Sequence, residues 1–185
     1  MKRANYAAIT LLTLLAVVLL AGCASPTPGP ADRAVKANDT VSVDYIGTYP
    51  NGTVFDTSIE TVAKGAGIYE SLRPYEPLEF TVGAGQMIQG FDEAVVGMKV
   101  NESKNIVIPP EKAYGNYDLT QIQPVPLKDL IDSNITPEIN QTLYYFGQPV
   151  RVDSINNSSG QVFIDFNHPM AGKTLHFVIT LRGIK

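Results

Sequence analysis

The sequence predicts an α+β fold, and three observations predict it. Residues 40–47 alternate, with Val41, Val43 and Tyr45 on one face and Ser42 and Asp44 on the other, the period-two pattern of a half-buried strand. Phe91, Ala94, Val95 and Met98 recur at the i, i+3, i+4, i+7 spacing of one short helix with an apolar face. At the far end Leu175, Phe177, Ile179 and Leu181 alternate with His176, Thr180 and Arg182, which marks a final strand with one face in a core.

The chain opens on a segment that is not fold. Lys2 and Arg3 precede an apolar run over residues 7–21, broken only by Thr10 and Thr13, and Leu20-Ala21-Gly22-Cys23 closes it with small residues. This is the pattern of a signal peptide over residues 1–22. The closing string also resembles the lipobox of secreted lipoproteins, which makes Cys23 the expected lipid-bearing first residue. The alternative is an uncleaved helical anchor, for which the run is short of a full span of about 20 residues. Either way the chain is expected at the cell envelope, membrane-anchored and facing outside the cytoplasm, because the positive flank stays inside. Residues 23–37 contain Ser-Pro-Thr-Pro-Gly-Pro and read as a lipid-anchored, extended tether. Cys23 is the only cysteine, so no disulfide is expected and the fold must stand on its core. The net charge is −4 and becomes more acidic once Lys2 and Arg3 are removed, which argues against nucleic acid as a partner.

After the first strand, Pro50-Asn51-Gly52 turns the chain into a second over residues 53–55. Residues 57–77 contain Gly65, Gly67 and Pro74 and no sustained period, a long loop with one helical turn near residues 59–63. A short strand over residues 78–82 ends at Gly83, and Asp92 and Glu93 supply negative charge at the start of the helix. Residues 103–108 resume as strand before Pro109-Pro110 stops it. The texture changes over residues 119–167, where stretches 142–146, 150–155 and 161–166 read as strands separated by turn clusters at 147–149 and 156–160. A sheet of under about 60 residues is marginal alone and is expected to lean on the main domain. Tyr144, Tyr145, Phe146, Val150, Val152 and Phe163 are expected to be exposed on its edge strands, suited to strand addition by a client.

Seven of the 11 asparagines (Asn38, Asn51, Asn101, Asn134, Asn140, Asn156 and Asn157) begin Asn-x-Ser/Thr, far more than 23 Ser and Thr in 185 residues give by chance. Each marks potential glycosylation on an exported surface. The competing reading is that Asn, Ser and Thr gather in turns.

Three strings (43–58, 85–98 and 111–118) supply aromatic side chains and a few polar groups close to turns, and together read as the walls, floor and rim of one apolar pocket. The residues that carry them are the strand-borne Tyr45, the Phe55-Asp56 pair, Met87-Ile88 before a helix opened by Phe91, and Ala113-Tyr114-Gly115. In that order they resemble the FKBP-type peptidyl-prolyl cis-trans isomerases. The chain returns through Asn167-His168-Pro169-Met170-Ala171-Gly172-Lys173-Thr174-Leu175, which is similar to the SlyD-type branch, with a chaperone-like domain inserted in the flap. The likeness covers residues 38–185. It implies an antiparallel sheet half-wrapped around a short helix, built from 38–118 and 168–185, with a small β-rich insert over 119–167. It also implies a proline site lined by Tyr45, Phe55, Asp56, Leu78, Met87, Ile88, Phe91, Tyr114 and Phe177.

This sequence departs from the family in three places. Phe91 stands where many members carry Trp, which weighs against tight macrolide binding more than against catalysis. The loop over 57–77 is longer than in the minimal domain. The His- and Cys-rich metal-binding tail of bacterial SlyD proteins has no counterpart, and His168 and His176 lack the ligand number of a metal site, so no metal and no cofactor are expected.

A planar X-Pro amide crosses a barrier of about 18–20 kcal/mol through a twisted state that has lost C–N resonance. Water stabilises the charge-separated planar form more than the twisted one, so an apolar pocket lowers the barrier by withholding that solvation. Unfolded or proline-containing polypeptides are the expected partners, besides the membrane. A non-catalytic chaperone on the same fold is the alternative, and a small-ligand-binding lipoprotein a third.

Overall fold

The computed structural model describes residues 33–185. The expected signal peptide, Cys23 and most of the expected tether lie outside these residues. The fold begins slightly before residue 38: Val35 is 2% exposed in the core. Its N–H donates to the Met98 carbonyl and its own carbonyl accepts from Gly97, both at 2.9 Å, so the last residues read as tether are already held.

All strand pairing is antiparallel. β1 (Thr40–Thr48) is the central strand of a five-stranded sheet. It buries Val41, Val43, Tyr45 and Gly47 in strict alternation, as its sequence requires. One edge of β1 is shared by β2 (Val54–Thr57) and β3 (Leu78–Thr81), which pair with its two ends, and between them runs α1 (Glu60–Ala66). The single helical turn expected there is thus seven residues long, stopped at Gly67 with φ 72° and anchored by Ala63, which is fully buried. α2 (Gln89–Val95) lays Phe91, Ala94 and Val95 into the core. Asp92 accepts the Gly83 N–H through both carboxylate oxygens, so it ties a turn as well as opening the helix. β4 (Ser103–Ile108) follows the predicted bounds.

After β4 the chain builds a second, four-stranded sheet. β5 (Ile122–Pro126) leads into α3 (Leu127–Asp132), followed by β6 (Thr142–Tyr145), β7 (Gln148–Asn156) and β8 (Gln161–Asp165), in the order β5-β8-β7-β6. β5 and α3 escaped the sequence reading because Pro124 and Pro126 argue against a strand. β5 pairs on one side only, with β8, and an edge strand tolerates residues that cannot donate to the ladder. Val150 and Val152, expected to be exposed on edge strands, are instead core. They are 7% and 0% exposed and pack with Val162 and Ile164, because β7 and β8 are the inner strands and the edges fall to β5 and β6. Phe163 is half-buried, whereas Tyr144, Tyr145 and Phe146 are exposed as expected.

The last strand, β9 (Leu175–Ile184), returns between β1 and β4 and closes the first sheet. The two crossings between the sheets are stitched together. Asp118 N–H donates to Asn167 Oδ1 at 2.9 Å and Asn167 Nδ2 donates back to the Asp118 carbonyl at 2.8 Å. Asp165, 4% exposed, accepts from Tyr117 Oη at 2.8 Å, from Arg151 Nη2 at 3.1 Å and from both nitrogens of Asn167. Burial alone would raise its pKa, but the hydrogen bonds from Asn167, Tyr117 and Arg151 prevail and hold it below the ordinary carboxylate value.

The crowded Asn-x-Ser/Thr sites have a backbone correlate. Asn38, Asn101, Asn134 and Asn140 adopt φ between 59° and 69°, the left-handed region in which Asn is the best tolerated side chain after Gly. Three of them stand two residues before β1, β4 and β6, where Thr or Ser starts the strand. All seven asparagines are exposed.

Candidate active site

The site is built where β1, β2, α2 and β9 converge. Four aromatic rings from these elements meet nearly at right angles. Phe91 lies 5.3 Å from Phe177 and 5.9 Å from Tyr45, and Phe55 lies 5.7 Å from Phe177, with interplanar angles of 84°, 89° and 88°. Such edge-to-face contacts place each ring's positive edge on its neighbour's negative face. Gly47 permits the closure: a Cβ there would stand 2.8 Å from the Phe55 ring and 2.9 Å from that of Phe177. Met87 and Ile88, in the turn entering α2, and Leu78 on β3 are half-buried against the same cluster. The Ile88 carbonyl accepts the Phe91 and Asp92 N–H groups and so fixes the entry to the helix.

One end of this apolar box is polar. Tyr45 Oη donates to Asp56 Oδ2 at 2.7 Å, and Arg73 pairs through Nη1 with Asp56 Oδ1 at 2.6 Å. Arg73 Nη2 also donates to Tyr45 Oη at 3.1 Å and to the Thr57 carbonyl at 3.2 Å. Burial first, and then the Asp56 carboxylate, push the Tyr45 phenol far above its ordinary pKa, so it remains a donor at any physiological pH. On the edge of β1 shared by β2 and β3, the Tyr45 backbone falls in the gap between them, where no strand pairs with it. Side chains fill that role: Thr57 Oγ1 donates to the Tyr45 carbonyl at 2.7 Å and Ser58 Oγ accepts its N–H at 3.0 Å, which explains why both are buried. Beside the box lies a groove of about 700 Å³, lined by Tyr45, Arg73, Glu76, Leu78 and Glu79 among others.

Tyr114 completes the rim. A 3₁₀ turn at Pro110–Lys112 delivers it, closed by the Gly115 N–H donating to the Pro110 carbonyl at 2.8 Å with Gly115 at φ 82°. The side chain is 40% exposed, and its pKa is raised by partial burial and then by the negative charge of Asp56. Its hydroxyl bonds no protein atom among the described residues. The structure thus brings Tyr45, Phe55, Leu78, Met87, Ile88, Phe91 and Phe177 into one cluster, with Asp56 bonded to it and Tyr114 at its edge.

The sequence reading missed Arg73 and did not foresee the partner of His168. Arg73 sits in the long loop whose period gave no register; its proximity to Asp56 is a product of the fold. His168, whose turn position suits a structural or surface role, is exposed and stacks face to face on Tyr114 at 4.1 Å with an interplanar angle of 1°. No group of His, Cys, Asp and Glu able to hold a metal occurs among the described residues. No helix among them is long and apolar enough to cross a membrane.

Residues 31–182 match the family described as FKBP-type peptidyl-prolyl cis-trans isomerase. A short-type peptidyl-prolyl cis-trans isomerase of Methanocaldococcus jannaschii is 43% identical over 151 residues, covering 82% of this chain and 94% of the relative. The FKBP-type peptidyl-prolyl cis-trans isomerase SlyD of Helicobacter pylori is 38% identical over 115 residues, 60% of each chain. A probable FKBP-type 16 kDa peptidyl-prolyl cis-trans isomerase of Pseudomonas fluorescens is 26% identical over 84% of this chain and 95% of its own.

Proposed function

The chain belongs to the FKBP-type peptidyl-prolyl cis-trans isomerases and has that activity, and we propose that it serves exported proteins at the cell envelope, gripping them through its second sheet. The observation that carries the site assignment is the box of perpendicular rings with a polar rim at one end only. In this reading Phe55, Phe91, Phe177, Met87 and Leu78 take the proline ring out of water. The Ile88 N–H and the Tyr114 hydroxyl hold the carbonyls flanking the bond. Asp56, held in an ion pair by Arg73, fixes the Tyr45 phenol at the rim. Withholding water from the planar amide and bonding the flanking carbonyls each lower the barrier, and every factor of ten needs only about 1.4 kcal/mol. No nucleophile or proton relay enters this scheme.

Residues 119–167 are taken as a SlyD-like insert in the flap, supported by the identity to the Helicobacter protein and by a separate sheet between the two crossings. The N-terminal pattern supports envelope anchoring through Cys23. Uncatalysed isomerisation takes tens of seconds or longer, so proteins folding outside the cytoplasm gain from a catalyst held there. The test is isomerisation of a proline tetrapeptide by the purified chain; relaxation no faster than in buffer overturns the site assignment. Cys23→Ala, expected to release the protein from the membrane fraction, tests the anchor separately.

A second reading, a chaperone whose function needs no catalysis, draws on Tyr144, Tyr145 and Phe146, which are 77%, 56% and 90% exposed. Deletion of 119–167 separates the two readings. Kept peptide isomerisation with lost suppression of client aggregation means that both activities coexist. Unchanged cellular function in Tyr114→Phe and Asp56→Ala chains favours the chaperone alone.

A further inference from the structure

We propose that His168 is a positioning residue for Tyr114, holding the phenol at the angle from which its hydroxyl meets the substrate. This rests on the reading of Tyr114 as a donor to a substrate carbonyl. Tyr114 needs such support. It is 40% exposed and its hydroxyl has no protein partner among the described residues, so only ring contacts choose its rotamer. The contact it makes with His168 is parallel, with centroids 4.1 Å apart and 1° between the planes.

The imidazole is itself fixed from both sides. Its Nδ1 accepts the Met170 N–H at 3.1 Å, which leaves the proton of the neutral ring on Nε2 and sets the ring's rotation. Partial burial lowers its pKa, which favours that neutral form. Asn167, immediately before it, is bonded to Asp118 and Asp165, and Pro169, immediately after it, restricts its backbone to extended conformations. The Tyr114 backbone is tied to the same returning segment, since the Gly115 carbonyl accepts the Gly172 N–H at 2.9 Å. His168 thus stands as a rigid flat surface against a side chain that would otherwise be free to rotate. Ordering one rotamer-rich side chain in advance corresponds to roughly a three- to tenfold gain in productive complexes.

The test uses the full chain and a proline tetrapeptide, with unfolding midpoints measured alongside. His168→Ala is expected to lower kcat/KM by about three- to tenfold with the midpoint little changed. His168→Phe keeps a flat ring without the Nδ1 acceptor, whereas His168→Gln keeps an acceptor without a ring. Positioning by stacking predicts that Phe restores most of the rate and Gln does not. In a Tyr114→Phe background, where the hydroxyl is gone, His168→Ala is expected to cost nothing further. Three results at His168 overturn the inference alone: a fully active His168→Ala chain, rescue by Gln rather than by Phe, or an equal loss in both backgrounds. The last leaves the role of Tyr114 standing, while a fully active Tyr114→Phe chain removes that role and the inference together.

Discussion

The five-stranded sheet closes on a core cluster of 15 buried residues, whereas the four-stranded sheet gathers only Val150, Val152, Val162 and Ile164. The first core holds rings from three strands and a helix locked edge to face, and its apolar surface is largely consumed. The second leaves Tyr144, Tyr145 and Phe146 in solvent at the β6–β7 hairpin, with Phe146 at φ 47°, an uncomfortable conformation for an aromatic residue. A catalytic surface gains from being formed before the substrate arrives. A surface that accepts varied apolar segments gains from being unsatisfied. The thinner core also implies that the second sheet opens at lower free energy, with buried Asp165 tying it to both crossing segments through Tyr117 and Asn167.

The largest expected effect tests the first core. Phe177→Ala removes a ring that touches Tyr45, Phe55 and Phe91, and should cost about 3–5 kcal/mol of stability in urea together with most of the isomerase activity. Ile164→Ala, a deletion in the second core, should cost about 2–5 kcal/mol, confined to one sheet. Hydrogen exchange should then show lost protection in β5 to β8 and not in β1 or β9, with tetrapeptide isomerisation kept. Equal loss of protection in both sheets would mean that they unfold as one unit.

Asp165→Asn comes next. Losing the charge that Arg151 and Tyr117 face in a buried position should cost about 1–3 kcal/mol at neutral pH. Because the folded-state pKa of Asp165 is depressed, its stabilisation is present above the unfolded value of about 3.9 and is lost as pH falls through the folded value. Urea midpoints of wild type and variant should therefore converge as the medium is acidified below that range. The smallest effect on stability is expected from changing Tyr144, Tyr145 and Phe146 together to Ser. The midpoint should stay within about 0.5 kcal/mol, while suppression of client aggregation falls.

Elements with a local period are legible in the sequence. The alternation of β1 and β9 and the 3.6-residue spacing of Phe91, Ala94, Val95 and Met98 are properties of neighbouring residues, and the sheet and helix stand where those patterns run. The candidate pocket is legible for a different reason: Tyr45, Phe55-Asp56, Met87-Ile88, Phe91 and Tyr114 resemble a family whose fold brings them together, and seven of the nine proposed residues do fall in one cluster.

The sequence by itself determined the strands and helix that carry a local period, among them β1, α2 and β9, and the apolar faces they turn to the core. Tertiary structure alone decided which strands lie inside a sheet, and therefore that Val150 and Val152 are core and that Pro124 can sit in a strand. It also decided that Arg73 reaches Asp56 across 17 positions and that His168 returns from the second sheet to lie flat on Tyr114. The physical reason is the same in each case. Periodicity reports which face of an element is apolar, but the identity of the partner on that face depends on contacts between residues far apart in the chain, and these leave no local pattern to read.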